Sequence, residues 1–188
     1  YISLSRVEDE NGIHEKAIEF GLEAKKYVRD DEGETNVDST LAWLYDRYGH
    51  YTEAEELLKN MINKSQNGEW LYSELGYCLA EQGRQEEALE SYFKTIELGR
   101  ADAWIFIRIG MCYKNMDKKE EAIEYYLKAL ELKEDDIFIM SDLAWLYDSL
   151  GELEKALKYL ERLEELGEND AWTNTEYGYC LSKLKRFD

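Results

Sequence analysis

Five rows of residues repeat at a spacing of 34 along the chain, and no other feature restricts its fold as much. Small residues recur at Ala54, Ala88, Ala122 and Ala156. A second small row runs through Ala42, Gly76, Gly110, Ala144 and Gly178. It is preceded by one residue at Leu41, Leu75, Ile109, Leu143 and Tyr177, and followed three residues on by Tyr45, Leu79, Tyr113, Tyr147 and Leu181. Turn formers fall between at Gly49, Gly83, Asp117 and Gly151.

Inside one unit the apolar period is helical. In residues 103–136, Phe106, Ile107, Ile109, Gly110 and Tyr113 follow spacings of three and four. After a break at Asp117–Lys118 the run from Glu121 to Leu130 resumes the pattern in strong helix formers, with no alternation of the strand kind. Asp102, Asp136 and Asp170 stand where a carboxylate caps the first helix of a unit. Gly99 and Gly167 stand where a left-handed residue ends the second. Each unit is therefore expected to be two antiparallel helices, with Gly or Ala on the first facing Ala on the second so that the axes approach closely. A single pair cannot bury its apolar face, so the pairs must stack.

Composition agrees with a stacked core. Apolar residues make up 44% of the 188, with 15 Tyr, 5 Trp and 5 Phe, unlike a disordered chain. The net charge is −19, which repels phosphate backbones and anionic lipid heads and favours a partner that is basic, or mixed with apolar anchors. No apolar run approaches the roughly 18 residues a bilayer requires, and the residues given show no basic-then-apolar segment of the secretory kind, so with this charge neither membrane nor nucleic acid is an expected partner. Three cysteines argue against a disulfide framework and fit a cytoplasmic location. The chain does not begin with Met, and we expect it to be a piece of a longer protein.

The pattern resembles the tetratricopeptide repeat over nearly the whole chain, on residues such as Phe106, Ile109, Gly110 and Tyr113, then Ala122, Tyr126 and Ala129. The proline common at the end of such units is replaced by Gln66, Arg100, Glu134 and Glu168. The resemblance implies an all-α, right-handed superhelical solenoid of about five and a half repeats in a single domain, 1–188. The expected repeats are about 1–34, 35–68, 69–102, 103–136 and 137–170, with a partial one at 171–188.

In that family the first helices line a concave face, which here would carry two aromatic rows. One holds Trp70, Trp104, Phe138 and Trp172, and the other, seven residues on, holds Trp43, Tyr77, Met111, Trp145 and Tyr179. Acidic residues including Asp46, Glu74 and Asp148 punctuate them. Two readings stay open: a groove that binds a protein or peptide segment, since Trp and Tyr dominate binding hot spots, or rings packed between neighbouring repeats. The Lys and Asn clamp by which some members hold acidic tails is absent, its positions carrying residues such as Ser39, Ser73 and Trp43. The expected function is a scaffold or adaptor; the alternative is a peptide-sensing module coupled to an output domain elsewhere. RNA reading would need a basic inner face, and Arg47, Arg108, Lys114 and Lys183 are outnumbered there by carboxylates.

No enzymatic motif, metal set or cofactor site is read in the chain. Cys78, Cys112 and Cys180 share one slot, too far apart to bridge if adjacent helices lie roughly 8–10 Å apart, and are expected to fill small buried spaces. His14 and His50 lack a second ligand at metal spacing. Arg29–Asp30–Asp31–Glu32–Gly33–Glu34 is taken as a linker and lacks the alternating ligands of a calcium loop. At the other end, Tyr177, Leu181 and Leu184 are expected to lie uncovered, a surface for self-association. Finally, Leu41–Asp46 recurs unchanged as Leu143–Asp148, 102 residues on, and Trp70, Glu74, Tyr77 and Cys78 recur as Trp172, Glu176, Tyr179 and Cys180. The chain thus contains a duplicated block of three repeats, and a site on one block has a partial copy on the other.

Overall fold

The capping chemistry read from the sequence sets the helix boundaries. The structure, a computed structural model, describes residues 14–64, 68–168 and 171–184. These form ten helices and, among the described residues, no strand. In chain order they are α1 (His14–Tyr27), α2 (Asp31–Arg47), α3 (Tyr51–Asn63), α4 (Glu69–Glu81) and α5 (Gln85–Glu97). Then follow α6 (Ala103–Asn115), α7 (Lys119–Leu132), α8 (Ile137–Ser149), α9 (Leu153–Glu165) and α10 (Ala171–Leu184). The chain divides into two compact units, Tyr1–Arg100 with α1 to α5 and Ala101–Asp188 with α6 to α10. Within each unit every helix packs on the next one in the chain.

Asp102 and Asp136 cap α6 and α8, their carboxylates accepting from the backbone N–H of Ile105 at 2.9 Å and Ile139 at 3.1 Å. Asp170 lies outside the described residues, as does the start of the first repeat. The expected linker at 29–34 is largely helix instead. Asp30 accepts from the Gly33 N–H at 2.7 Å and starts α2 at Asp31, giving a helix of 17 residues where the other first helices have 13 or 14. A capping Asp followed by three acids near a helix N-terminus explains why the segment folds inward as a first turn.

The turns inside the pairs share one geometry. After α2, the Gly49 N–H donates to the Asp46 carbonyl at 3.1 Å and the His50 N–H to the Tyr45 carbonyl at 2.8 Å, a Schellman closure. It requires a positive φ, which Gly49 supplies at 78°. The same pair of bonds closes α4, α6 and α8. In α6 the left-handed position is filled by Asp117, at φ 58°.

The core of each pair joins the two small rows to a large one. Ala54, Ala88, Ala122 and Ala156 are fully buried. The residue facing the other small row is, however, a ring where the sequence suggested an alanine. A Cβ on Gly76 would stand 2.8 Å from the Tyr92 ring, and one on Gly110 would stand 2.7 Å from Tyr126. Tyr92 and Tyr126 belong to a further row at the same spacing, Leu58, Tyr92, Tyr126 and Leu160. Where that row has Tyr the first helix has Gly, and where it has Leu the first helix has Ala: Ala42 with Leu58, Ala144 with Leu160. The pair volume is thereby shared between the helices, as close packing demands.

In the second unit, Tyr177, Leu181 and Leu184 of α10 are half-buried against the core that includes Ala156, Leu160 and Leu163 of α9, so they are less open than the sequence suggests.

Candidate functional site: the aromatic rows of the first helices

Because α2, α4, α6, α8 and α10 spend their small, Leu and Tyr rows on the core, the rows between them are left for solvent or a partner. Trp43, Trp104, Phe138, Trp145 and Tyr179 are 40, 37, 51, 44 and 45% exposed, far outside the core range. Trp70, Tyr77, Met111 and Trp172 are half-buried, as are Asp46, Glu74 and Asp148.

In the first unit, the Arg47 guanidinium lies over the Trp43 ring at 4.9 Å, one helical turn away. The Tyr77 ring meets Tyr51 of α3 edge-on at 6.2 Å. Cys78, buried beneath this face, donates to Asp46 Oδ1 at 3.7 Å. Burial, followed by the charges of Asp46 and Glu74, pushes the Cys78 thiol well above the ordinary thiol range, so it stays protonated and unreactive.

The second unit repeats the arrangement. Arg108 lies over Trp104 at 5.8 Å and Lys183 over Tyr179 at 5.4 Å, each one turn from its ring. Met111 lies close by, its sulfur 3.9 Å from the Arg108 guanidinium. Lys114 reaches Phe138 at 6.0 Å and pairs with Asp142 at 2.7 Å. The buried Tyr126 donates its hydroxyl to the same carboxylate at 2.7 Å, so burial and the Asp142 bond raise that phenol strongly. Lys114, Asn115, Ser141, Asp142, Trp145 and Trp172 line an open cleft of about 490 Å³. Cys180, under this face, is pushed up to about 11 by burial and then by Asp148 and Glu176. Burial and the charge of Asp148 raise the Glu176 carboxyl.

Two features of this face escaped the sequence reading. The cations it counted only as charge balance, Arg47, Arg108, Lys114 and Lys183, each stand over a predicted ring, and in three of them the four-residue spacing was the available signal. Asp142 is held internally by Lys114 and Tyr126, a contact between helices that no spacing rule announces.

The repeat seen in the sequence and in the helix pairs is matched by family models described as the tetratricopeptide repeat, at residues 103–136 and 139–170. Over those residues the chain carries tetratricopeptide repeats. A comparison with the curated proteins finds no match. Among solved structures, MamA aligns with a TM-score of 0.77 at 22% identity over 90% of this chain and 99% of its own. A thermophilic tetratricopeptide-repeat protein of Thermus thermophilus aligns at 0.63 and 22%, over 96% of each chain. YrrB, described as a tetratricopeptide-repeat protein with an unusual peptide-binding site, aligns at 0.71 and 19%, over 98% of this chain and 90% of its own. At such identities the likeness speaks to the fold alone, an all-α tetratricopeptide solenoid.

Tetratricopeptide repeats build protein-interaction scaffolds that hold protein or peptide partners, and the family is generally non-enzymatic. Among the described residues, Cys78, Cys112 and Cys180 are buried thiols outside any disulfide, and no cluster of His, Cys, Asp and Glu could hold a metal. His50 is exposed beside its turn; the His14 side chain lies outside the described residues. No described helix is long and apolar enough to cross a membrane.

Proposed function

We propose that this chain is a scaffold or adaptor that binds a protein or peptide segment on the aromatic, acidic face of its first helices. The observation that carries the reading is the division of labour along those helices: Ile105, Ile109, Ile139 and Leu143 are fully buried, while Trp104, Phe138 and Trp145 between them are exposed. Large rings held open on rigid helices offer contact area at little conformational cost. With a net charge of −19 and Asp46, Glu74 and Asp148 among the rings, the favoured partner is basic, or mixed with apolar anchors. A peptide-binding site in YrrB is consistent with this use of the fold.

Panning a random peptide library on the chain tests the reading. Selected peptides should be rich in basic and aromatic residues, and the variant Trp70→Ala, Trp104→Ala, Trp172→Ala should lose them while keeping its helical circular dichroism. Equal retention by a folded variant would move the binding surface elsewhere.

A further inference from the structure

The duplicated block places the same set of side chains in both units, and the copies differ in the source of the cation beside the first ring. Trp43, Asp46, Trp70, Glu74 and Cys78 of the first unit correspond, 102 residues on, to Trp145, Asp148, Trp172, Glu176 and Cys180 of the second. In the first unit the ring of Trp43 carries a guanidinium at 4.9 Å, supplied by Arg47 of its own helix. The position equivalent to Arg47 is Ser149, whose hydroxyl instead donates to the Leu146 carbonyl at 2.7 Å. The second unit therefore keeps the ring and the acids and drops the cation that the ring's own helix supplies.

What remains there is a cleft of about 490 Å³ with Trp145 and Trp172 on its walls. Asp148 and Glu176 follow those two rings by three and four residues, so they lie one turn along the same helix faces. Both are half-buried, and neither carboxylate has an ion pair or a hydrogen bond among the described residues. Burial and the nearby Asp148 disfavour the charged form of Glu176, a cost that a cation between the two carboxylates would remove. The charged residues that line the cleft itself, Lys114 and Asp142, pair with each other at 2.7 Å. Lys119 of α7 stands 6.0 Å from the Trp145 ring, farther than Arg47 stands from Trp43 and at the outer edge of the cation–π range.

We propose that the cleft of the second unit receives one arginine side chain of the bound segment, its stem against Trp145 and Trp172 and its guanidinium toward Asp148 and Glu176. The first unit shows the stacking half of this chemistry, with the Arg47 guanidinium over Trp43. Arginine suits the cleft better than lysine, because a planar guanidinium both stacks on an indole and forks to two carboxylates. The inference rests on the aromatic face being the binding face and names the side chain it selects.

The five tryptophans give five indole N–H reporters in a ¹⁵N-labelled chain. The probes are N-acetyl-arginine methylamide and its citrulline analogue, which keeps the shape and loses the charge. The arginine compound should shift the Trp145 and Trp172 signals saturably, and the citrulline compound should bind at least about fivefold more weakly. Asp148→Asn with Glu176→Gln, isosteric and without partners to break, should abolish the response. Ser149→Arg should move the Trp145 signal without ligand and block the titration, as Arg47 covers Trp43. Absent shifts, equal binding of citrulline, or a response kept by the double variant would overturn the proposal. If arginine fails while library-selected peptides still shift Trp145 and Trp172, the binding face stands and only the arginine subsite falls. If those peptides leave both rings unmoved, both fall.

Discussion

Replacing Gly110 by Ala adds one methyl group at the tightest point of a helix pair. The new Cβ would stand 2.7 Å from Cδ1 and 2.8 Å from Cε1 of Tyr126, distances that carbon atoms do not tolerate. The ring has little freedom to yield, because it is fully buried and its hydroxyl is fixed on Asp142 at 2.7 Å. Two effects oppose. Ala in a helix interior is favoured over Gly by about 1 kcal/mol, whereas forcing a methyl group into a packed core costs about 1–3 kcal/mol. Steric cost should win here, leaving Gly110→Ala destabilised by about 1 kcal/mol in urea unfolding followed by circular dichroism. The chain itself supplies the compensating change, since Ala144 packs with Leu160 in the next repeat. Tyr126→Leu alone should lose about 2–4 kcal/mol through a cavity and a broken hydrogen bond. The double variant should be more stable than the sum of the singles predicts by at least about 1 kcal/mol. A Gly110→Ala protein more stable than the parent, or strictly additive free energies, would refute the idea that Gly110 exists to admit the tyrosine.

The other perturbations act at single sites. Asp117 holds the left-handed turn position that glycine fills in three other repeats, so Asp117→Gly should raise stability by about 0.5–1 kcal/mol; an unchanged or lower urea midpoint would show that the aspartate relieves its own strain. Burial alone would raise the Glu55 carboxyl, but hydrogen bonds from Lys59, Gln82 and Arg84 outweigh it and hold it at about 2, below its ordinary 4.5. That stabilisation, about 3 kcal/mol, is fully present above pH 4.5 and lost as the pH falls toward 2. Glu55→Gln should therefore be clearly less stable at pH 7, with most of that gap gone at pH 2.5; a gap independent of pH would discount the ion network. Glu176 has the opposite sign: its folded carboxyl is raised, so its charge destabilises the fold at neutral pH and the penalty fades as the pH falls through the carboxyl's range. Glu176→Gln should melt above the parent at pH 7, and a lower melting temperature would mean that the carboxylate has a cation partner.

The fold was legible because the sequence states it redundantly. Gly49, Gly83 and Gly151, the capping Asp102 and Asp136, and the buried Ala rows each specify the same helix pair from different physics, and the structure places all of them as expected. Failures occurred where one signal stood alone. The acids at 30–34 looked like a linker because charge was weighed without the cap, and a capping Asp30 turns that segment into the first turn of α2. For Gly110, a single repeat shows only the small side of the contact with Tyr126. The other side, Leu58, Tyr92, Tyr126 and Leu160, is visible only when the large residues are set in register as well.

The aromatic rows belong to a different class of inference. Periodicity tells which residues a helix does not need for its own core, and it tells nothing about what those residues meet. The exposure of Trp43, Trp104, Phe138, Trp145 and Tyr179 weighs against the packed alternative for these rings, and the cations standing over most of them suggest what a ligand would bring. An acidic scaffold that spends its own arginines and lysines on such rings carries, in that habit, an image of the side chain its open cleft selects. Where Arg47 has become Ser149 the cation on the ring's own helix is gone while Trp145, Asp148, Trp172 and Glu176 remain. Retaining two unpaired, half-buried carboxylates has no packing benefit, and their combination with an accessible indole is what an incoming guanidinium would use.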